Sequence, residues 1–586
     1  MINLKINGNP IQVEDGTTIL EAAKKANIKI PTLCYNPDLP AWASCGICIV
    51  RVAGSPKMVR ACTTPVDGGL EGKDIITHDA EIIATRRTVL ELILSNHPND
   101  CLQCPRNGNC ELQTLAAEFG IRQSPYKKVV NDIPVDDSNP AIVLCPEKCV
   151  RCGRCVKVCQ EVQNVWALEF LGRGIKGKIA SAADAPLGDS PCIKCGQCAA
   201  HCPVGAIYER DDTVKVWSAL QDANKHPVVQ IAPAVRVALA EEFGLEPGTL
   251  FTKKIYAALR RLGFKTVFDT NFSADLTIME EGSELVKRLN EKGSTIPLIT
   301  SCCPAWVDYM EKYYADMIPH FSTAKSPQQM MGAMIKAYWA GKAGVDPAKV
   351  YSVSVMPCTA KKWESHRNDD MKSAGHGYDV DIVITTRELA RMIKQAGIEI
   401  LKLNDEEADS PLGPYTGAGT IFGVTGGVLE AAVRSAYFLV TKKELPDVNF
   451  KPARGLEGVK EGEVDFGNGT KIRIAVAHQM GNIAAVLDKI RDAKKAGKEV
   501  PYHFVEVMAC RGGCIAGGGQ PYGCTDEIRK QRTAGIYTDD EKSQYRCSHQ
   551  NPCINQVYKE FLGEPGGHKA HELLHTKYVE LPLYNK

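Results

Sequence analysis

Along the chain the spacing of apolar positions changes character twice. The first 78 residues hold short alternating runs at Asn3–Asn7 and Ile47–Val52 with one helical stretch, Thr18–Ala26, between them, which predicts a small β-rich unit. Ile82, Ile83, Leu90, Ile93 and Leu94 then recur near helical spacing, predicting an amphipathic helix over Ala80–Ser95. After about Asp212 strand-like and helical runs alternate: a strand at Val228–Ala232, a helix at Thr249–Leu262, a strand at Thr266–Asp269 and a strand-like run at Ala274–Met279. Three further runs, Pro297–Thr300, Val350–Val355 and His503–Met508, read as buried strands. The second half is therefore expected to be α/β, and in open sheets of this kind ligands gather at the carboxyl ends of strands. All three runs lead into cysteines: Cys302 and Cys303, Cys358, and Cys510 and Cys514.

Composition narrows the setting. With 586 residues, 44% hydrophobic and 24% charged, the chain has enough material for several packed domains. A net charge of +1 gives no electrostatic basis for nucleic-acid binding, and no basic run suggests a membrane surface. The most apolar late stretch, Ala418–Val440, is interrupted by Glu430 and Arg434 and is not expected to span a bilayer. The outlying number is 24 cysteines, most of them in short C-x2-C units. Met1–Pro10 reads as strand and turn rather than as a leader, so a reducing, cytoplasmic setting is expected, with metal thiolates favoured over disulfides.

Cys34, Cys45, Cys48 and Cys62 lengthen the first gap of the plant-type ferredoxin spacing but keep four thiolates in a small β-rich unit, as a 2Fe-2S centre needs. A zinc staple would use the same ligands. Ala43, Ser44, Gly46 and Ile47 crowd the central pair with small or apolar groups that limit water. His97, Cys101, Cys104 and Cys110 form a second set that suits zinc or a 4Fe-4S cluster, and the neighbouring cluster motifs favour the latter. As a lone side chain His97 would be a surface or helix-end residue; its place four positions before a C-x2-C makes it a ligand candidate.

The strongest signal is an internal repeat, Cys149-x2-Cys152-x2-Cys155-x3-Cys159 and Cys192-x2-Cys195-x2-Cys198-x3-Cys202-Pro203. Three close cysteines supply three corners of one 4Fe-4S cube and the fourth serves the other cube. One cube is thus assigned to Cys149, Cys152, Cys155 and Cys202, the other to Cys192, Cys195, Cys198 and Cys159. Cys145 falls outside the register and reads as a small buried hydrophobe. This front section is an electron wire, and it resembles the large iron-sulfur subunit of respiratory complex I and the front of NAD-linked formate dehydrogenases.

By spacing alone the late cysteines fit a structural zinc ion as well as a cluster. Gly512, Gly513 and the run Gly517-Gly518-Gly519 favour something bulky that the backbone must approach closely. In their order behind the wire, Thr300-Ser301-Cys302-Cys303-Pro304, Val355-Met356-Pro357-Cys358-Thr359 and Glu506-Val507-Met508-Ala509-Cys510-Arg511-Gly512-Gly513-Cys514 resemble the signature motifs of iron-only (FeFe) hydrogenases. The match extends to Ala232-Pro233, Met279-Glu280-Glu281, Ala324-Lys325-Ser326-Pro327-Gln328-Gln329, Gly417 to Gly423 and the closing Ala570-His571-Glu572-Leu573-Leu574-His575. Essentially the whole chain is covered. Both clostridial monomeric enzymes and catalytic subunits of NAD(P)-linked, electron-bifurcating complexes are of this type.

The resemblance implies a multidomain α+β and α/β chain. Residues 1–78 would be a β-grasp 2Fe-2S domain, 79–125 a small His/Cys3 4Fe-4S domain, 138–211 a two-cluster ferredoxin-like domain, and 212–586 a two-lobed α/β catalytic domain with its cofactor between the lobes. That cofactor, the H-cluster, is a 4Fe-4S cube joined through one cysteine sulfur to a di-iron unit carrying carbon monoxide, cyanide and azadithiolate. Carried over by motif, the cube's ligands are Cys303, Cys358, Cys510 and Cys514, with Cys514 as the bridge. Cys302 becomes a proton donor, although a second thiol beside a ligand is usually mere packing. The proton path continues through Glu281, Ser322 and Glu284. The i,i+3 spacing of the two glutamates puts both on one helix face, a spacing equally common on solvated faces. Lys361 matches a lysine that hydrogen-bonds a cyanide, where its alternative is an ordinary exposed lysine. Met356, Met508, Gln328 and Phe422 would line the pocket with Ala232 and Pro233. Ala234 departs from relatives with serine there, so no side-chain hydroxyl is available.

The expected activity is reversible H2 oxidation and proton reduction, with electrons passing to ferredoxin or to flavin- and NAD(P)-binding diaphorase subunits in a hetero-oligomer, and with maturation proteins installing the di-iron unit. Gly417, Gly419 and Gly423 miss the dinucleotide spacing, and no phosphate-binding G-x4-G-K-S/T loop occurs, so a nucleotide would sit on another subunit. Cys524, Cys547 and Cys553 have no assigned partner, and His549 lies between the last two, which leaves free thiols or an extra metal site. The competing class is a redox- or H2-sensing protein, or an assembly protein, on a related fold without turnover. A complex I-like subunit would not explain Cys303, Cys358, Cys510 and Cys514.

Overall fold

The alternating N-terminal run folds as a hairpin of β1 (Ile2–Ile6) and β2 (Asn9–Val13), which with β3 (Ile49–Val52), β4 (Met58–Arg60) and β5 (Asp74–Ile76) makes a five-stranded sheet of order β2-β1-β5-β3-β4. Helix α1 (Ile19–Lys25) starts where the Thr18 hydroxyl accepts the Glu21 N–H at 3.2 Å, and its Ile19, Leu20, Ala22 and Ala23 join Leu4, Ile6, Val50 and Ile75 in one core. One helix on a mixed sheet is the β-grasp arrangement. Helix α2 (Ala80–Ser95) is capped by Asp79, whose carboxylate accepts the Ile82 N–H at 2.7 Å; Ile82 and Leu90 are buried, while Ile83 faces solvent. In this computed structural model residues 1–130, 132–466 and 471–584 are described. They divide into two units, the first comprising 1–162, 166–190 and 201–208, the second 163–165, 191–200 and 209–586.

The second unit contains two sheets. In the first, β6 (His226–Ile231), β7 (Thr266–Asp269), β9 (Val350–Met356) and β10 (Ile382–Thr385) run parallel in the order β7-β6-β9-β10. Register pairs Ile231 with Asp269 and with Val355, and Met356 with Thr385, so the carboxyl ends lie level. The second sheet orders β8 (Leu298–Ile299), β13 (Phe504–Met508), β12 (Lys471–His478) and β11 (Val459–Asp465), with β11 antiparallel at its edge. The three expected strands are thus present, divided between the two sheets. Their buried, near-continuous apolar character follows from cover on both faces.

One expectation is overturned. Ala274–Met279 lies inside a 21-residue helix, α3 (Thr270–Asn290), that starts at Asp269, whose side chain accepts the Asn271 N–H at 2.9 Å. Thr270 through Gly282 are all buried, so no polar face interrupts the apolar run, and periodicity alone cannot distinguish such a segment from a strand. Glu281 and Glu284 therefore stand one turn apart on the same helix.

Helices α4 (Pro304–Tyr313) and α5 (Pro327–Met334) each begin on a proline, which lacks an N–H where the first turn would leave it unpaired. The glycine run lies in α6 (Gly417–Ile421), followed by α7 (Gly427–Thr441) and later by α8 (Asp526–Lys542). A Cβ at Gly417 would collide with the Asp540 carboxylate and one at Gly419 with the Asn271 carbonyl; these glycines serve close packing rather than phosphate. Among the described residues no helix is long and apolar enough to cross a membrane.

Candidate functional site

Strand ends of both sheets open on one cavity. Cys302 and Cys303 reach it from the turn after β8, Cys358 from the turn after β9, and Cys510 and Cys514 from the loop after β13. The remaining wall is mostly apolar: Met356, Met508, Phe422, Ala232 and Pro233 line it, together with Gln328 and Lys361. Ala234 also lines it and brings no hydroxyl. Gly513 has φ of +97°, and a Cβ there would stand 2.6 Å from the Thr425 nitrogen, so the loop must be glycine to turn and to fit.

Burial pushes the thiols of Cys303, Cys358, Cys510 and Cys514 above the ordinary thiol range, Cys358 to about 12. Four neutral thiols facing an apolar cavity with room for a cluster are a poor site for water and a good one for a cationic group that takes thiolates. The N–H groups of Ala305, Trp306 and Ala509 point toward the Cys303 sulfur and favour its charged form. The donor set and the space fit an iron-sulfur cofactor.

The Lys361 ammonium is buried; burial alone would lower its pKa, but the Glu364 carboxylate holds it above the ordinary lysine range. Lys361 Nζ donates to Glu364 at 2.8 and 3.1 Å and to the Cys302 carbonyl at 3.1 Å. Glu364 also accepts from Ser326 Oγ at 2.9 Å and Gln328 Nε2 at 3.0 Å, while Gln328 Oε1 accepts from Ser354 Oγ at 3.0 Å. Glu364 therefore fixes two cavity-lining side chains at once. It escaped the sequence analysis because nothing but tertiary contact marks it.

Cys302 is half-buried, and desolvation, together with the nearby Glu281, raises its thiol well above the usual range. Burial pushes Glu281 up to about 8; the nearby Ser322 hydroxyl and Ser301 N–H pull the other way, and Glu284 adds to the rise. Neither Glu281 oxygen has a hydrogen-bond partner at bonding distance, a placement that only a neutral carboxyl tolerates. Ser322 Oγ donates to Glu284 Oε2 at 3.3 Å, and Arg288 Nη2 donates to Glu284 Oε1 at 2.6 Å. Glu284 and Arg288 are both partly exposed, at 16% and 15% of their side chains. Arg288, one turn beyond Glu284 on α3, is a second residue the sequence analysis did not single out.

Cys195 also lines the cavity, and Gln197 Nε2 donates to Cys510 Sγ at 3.2 Å and to the Ala516 carbonyl at 3.1 Å. Cys192, Cys195 and Cys198 lie in this second unit; Cys159 lies in the first. In the first unit Cys149, Cys152, Cys155 and Cys202 line one pocket with Ile179, Val204 and Ile207. Cys48 and Cys62 bring their sulfurs within 3.3 Å, and the Cys45 N–H donates to Cys34 Sγ at 3.5 Å. Burial lowers the His97 pKa, so the imidazole is neutral; Nδ1 accepts the Asn99 N–H at 3.3 Å, and the buried Nε2 has no hydrogen-bond partner. With Nδ1 accepting, the neutral ring carries its proton on Nε2, so ligation through Nε2 takes the other tautomer and releases the Asn99 contact; the buried Nε2 has no competing partner to give up. Cys145 is buried, as expected of a small hydrophobe.

Residues 225–518 match the family described as iron only hydrogenase large subunit, C-terminal domain, and 526–580 match iron hydrogenase small subunit. Ahead of them, 1–73 match a 2Fe-2S iron-sulfur cluster binding domain, 86–125 the NADH-ubiquinone oxidoreductase-G iron-sulfur binding region and 148–207 a 4Fe-4S dicluster domain. The chain is 47% identical to NADP-reducing hydrogenase subunit HndD of Solidesulfovibrio fructosivorans, over 99% of both chains. It is 40% identical to iron hydrogenase 1 of Clostridium pasteurianum, over 99% of this chain and 100% of that one. A solved variant of the [FeFe]-hydrogenase HydA1 from Chlamydomonas reinhardtii superposes on 63% of this chain and 98% of its own, with TM-score 0.56 and 43% identity. The chain, a mixed α/β multidomain protein with iron-sulfur domains ahead of its catalytic one, belongs to the iron-only hydrogenase large-subunit family.

Proposed function

We propose that this chain catalyses the reversible conversion of H2 into two protons and two electrons, and that the cavity fed by both sheets is its active site. The observation that carries the reading is the convergence of Cys302, Cys303, Cys358, Cys510 and Cys514 with Lys361 on one cavity, beside a Glu281 carboxyl that burial pushes up to about 8. When bound, the H-cluster supplies the centre at which H2 is split or formed. Cys303, Cys358, Cys510 and Cys514 would hold its cube, Cys514 standing where the resemblance places the shared sulfur. Lys361, fixed by Glu364, offers a charge-assisted donor to a cyanide. Met356, Met508, Phe422, Ala232 and Pro233 keep water out, and Gln328 presents its amide.

On the proton side Cys302 gives and regains a proton without a fixed charge. Glu281 exchanges it in turn, and Ser322 and Glu284 pass it toward Arg288 at the partly exposed end. On the electron side, Cys192, Cys195, Cys198 and Cys159 would hold one accessory cube, Cys149, Cys152, Cys155 and Cys202 another, His97, Cys101, Cys104 and Cys110 a third centre, and Cys34, Cys45, Cys48 and Cys62 the 2Fe-2S centre. The corresponding domains are 1–78, 79–125, 138–211 and 212–586. Such a long wire suits a cytoplasmic hetero-oligomer in which ferredoxin or a flavin- and NAD(P)-binding subunit exchanges electrons, after maturation proteins have installed the di-iron unit. The name of the HndD relative, a subunit of an NADP-reducing enzyme, supports this.

The test is infrared spectroscopy of anaerobically matured protein with H2 uptake assayed on the same sample. Carbon monoxide and cyanide bands that shift under H2 are expected, and their absence in fully iron-loaded protein overturns the assignment. Cys302→Ala should keep the bands and lose about 10²-fold or more in turnover; wild-type rates would remove Cys302 from the path. Coupling to NAD(P)H by the purified single chain would remove the need for a nucleotide-binding partner.

A further inference from the structure

Three side chains outside the iron-sulfur sites meet beyond the end of α7. Cys547 Sγ, an imidazole nitrogen of His549 and a carboxylate oxygen of Glu444 lie within 4.8 Å of one another. His549 Nε2 stands 3.1 and 3.2 Å from the two Glu444 oxygens. In a tetrahedral zinc site, nitrogen and oxygen ligand atoms about 2.1 Å from the metal are about 3.4 Å from each other. The pair is therefore already spaced close to one edge of such a tetrahedron.

The imidazole is oriented as a metal ligand would be. His549 Nδ1 is 3.2 Å from the hydroxyl of buried Ser435; in the tautomer that donates to that oxygen, the Nε2 lone pair faces Glu444. The ring stacks on Phe438 at 4.2 Å and 4°, which fixes its plane. Glu444 Oε2 also accepts from Gln550 Nε2 at 3.1 Å. Two nearby arginines are paired elsewhere: Arg434 with Asp540 at 2.9 Å and Glu430 at 2.7 Å, and Arg546 with the same Asp540 at 2.5 Å. As ligands, the Cys547 sulfur, its proton displaced by the metal, and the Glu444 carboxylate together supply two negative charges that one divalent ion neutralises. Cys547 and His549 are buried while Glu444 is exposed, so a fourth position is open toward solvent.

We propose that Cys547, His549 and Glu444 bind a divalent cation of borderline softness, zinc foremost, separate from the iron-sulfur clusters. It ties the segment after α7 to the C-terminal segment through one sulfur, one nitrogen and one oxygen ligand, with water in the fourth place. Its role is structural, and H2 turnover does not depend on it.

The experiment uses the cluster-loaded full chain, incubated with zinc sulfate and desalted, read by elemental analysis and by X-ray absorption at the zinc edge, where iron does not interfere. About one zinc per chain is expected, with one sulfur and the rest nitrogen or oxygen neighbours. His549→Gln and Cys547→Ala should each lower zinc retention at least about tenfold while iron content and H2 turnover stay unchanged. Glu444→Gln, on the exposed side, leaves the core untouched and should weaken zinc binding in the same direction, which covers the case of a misfolded core variant. Substoichiometric zinc, a shell without sulfur, or retention by Glu444→Gln and His549→Gln equal to that of the unaltered chain overturns the site.

Discussion

Gln197 and Cys510 are in hydrogen-bond contact, the amide Nε2 donating to the sulfur at 3.2 Å. Gln197 sits between Cys195 and Cys198, so one side chain spans from the loop proposed to hold an accessory cluster to the cavity. An N–H···S bond stabilises the more negative, reduced state of a cluster held by that sulfur. Gln197→Leu should therefore lower the potential of the Cys510 cluster, by an amount on the order of tens of mV for the loss of one bond. Potentiometric titration followed by electron paramagnetic resonance measures it; an unchanged potential would mean that the bond is not made in the loaded protein.

How much of this could be read from the chain depends on how local each signal is. The strand ends and their cysteines were legible because β-branched runs and C-x2-C spacings are local, and Val350–Met356 and Phe504–Met508 begin and end within a residue of expectation. Ala274–Met279 was misread because a helix buried all round loses its period. Glu364, Gln197 and Arg288 could not have been picked out by type or spacing, since their roles arise only when distant segments fold against one another. That the strands divide between two sheets is likewise a matter of register and crossover, on which the sequence pattern is silent.

Glu281 should change protonation close to working pH. Burial lifts its carboxyl to about 8, so in the folded protein it is protonated below that pH and charged above it, whereas the unfolded group ionises near its ordinary 4.5. Between these two values the folded state holds a proton that the unfolded state has lost, so this group's contribution to stability falls as pH rises across the window. A protonated-carboxyl infrared band is expected that disappears with a midpoint near pH 8 and is absent from Glu281→Gln. A band that vanishes already near pH 4.5 would show that the site does not keep the carboxyl neutral.

Glu364→Gln should disturb the cavity without touching a cysteine. Lys361 would lose the carboxylate that holds it above the ordinary lysine range, and breaking a buried pair on one side costs about 3–5 kcal/mol. Gln328 would lose one of its anchors at the same time. The expected result is a lower unfolding temperature, displaced cyanide bands and at least about tenfold lower turnover. Partial recovery in Glu364→Asp would separate the carboxylate's role from that of volume; unaltered bands in the glutamine variant would show that Lys361 keeps its place unaided.

His97 offers the sharpest test among the accessory centres, because its buried Nε2 lacks any other partner. If it ligates a cluster with Cys101, Cys104 and Cys110, His97→Ala removes one corner and the affected centre should be lost or made labile, lowering iron content by about four atoms per chain. His97→Cys restores four ligands but adds a negative charge to the set, so the cluster should assemble with its potential lowered on the order of 100 mV. The other centres keep their ligands, so their signals are an internal control in the same titration. A full iron complement in His97→Ala, together with an unshifted spectrum in His97→Cys, would place the imidazole outside the cluster. The unpaired nitrogen would then be a buried polar group with its desolvation uncompensated, at a cost of about 1–3 kcal/mol that a smaller apolar residue would relieve, and His97→Ala would raise the unfolding temperature instead of lowering it.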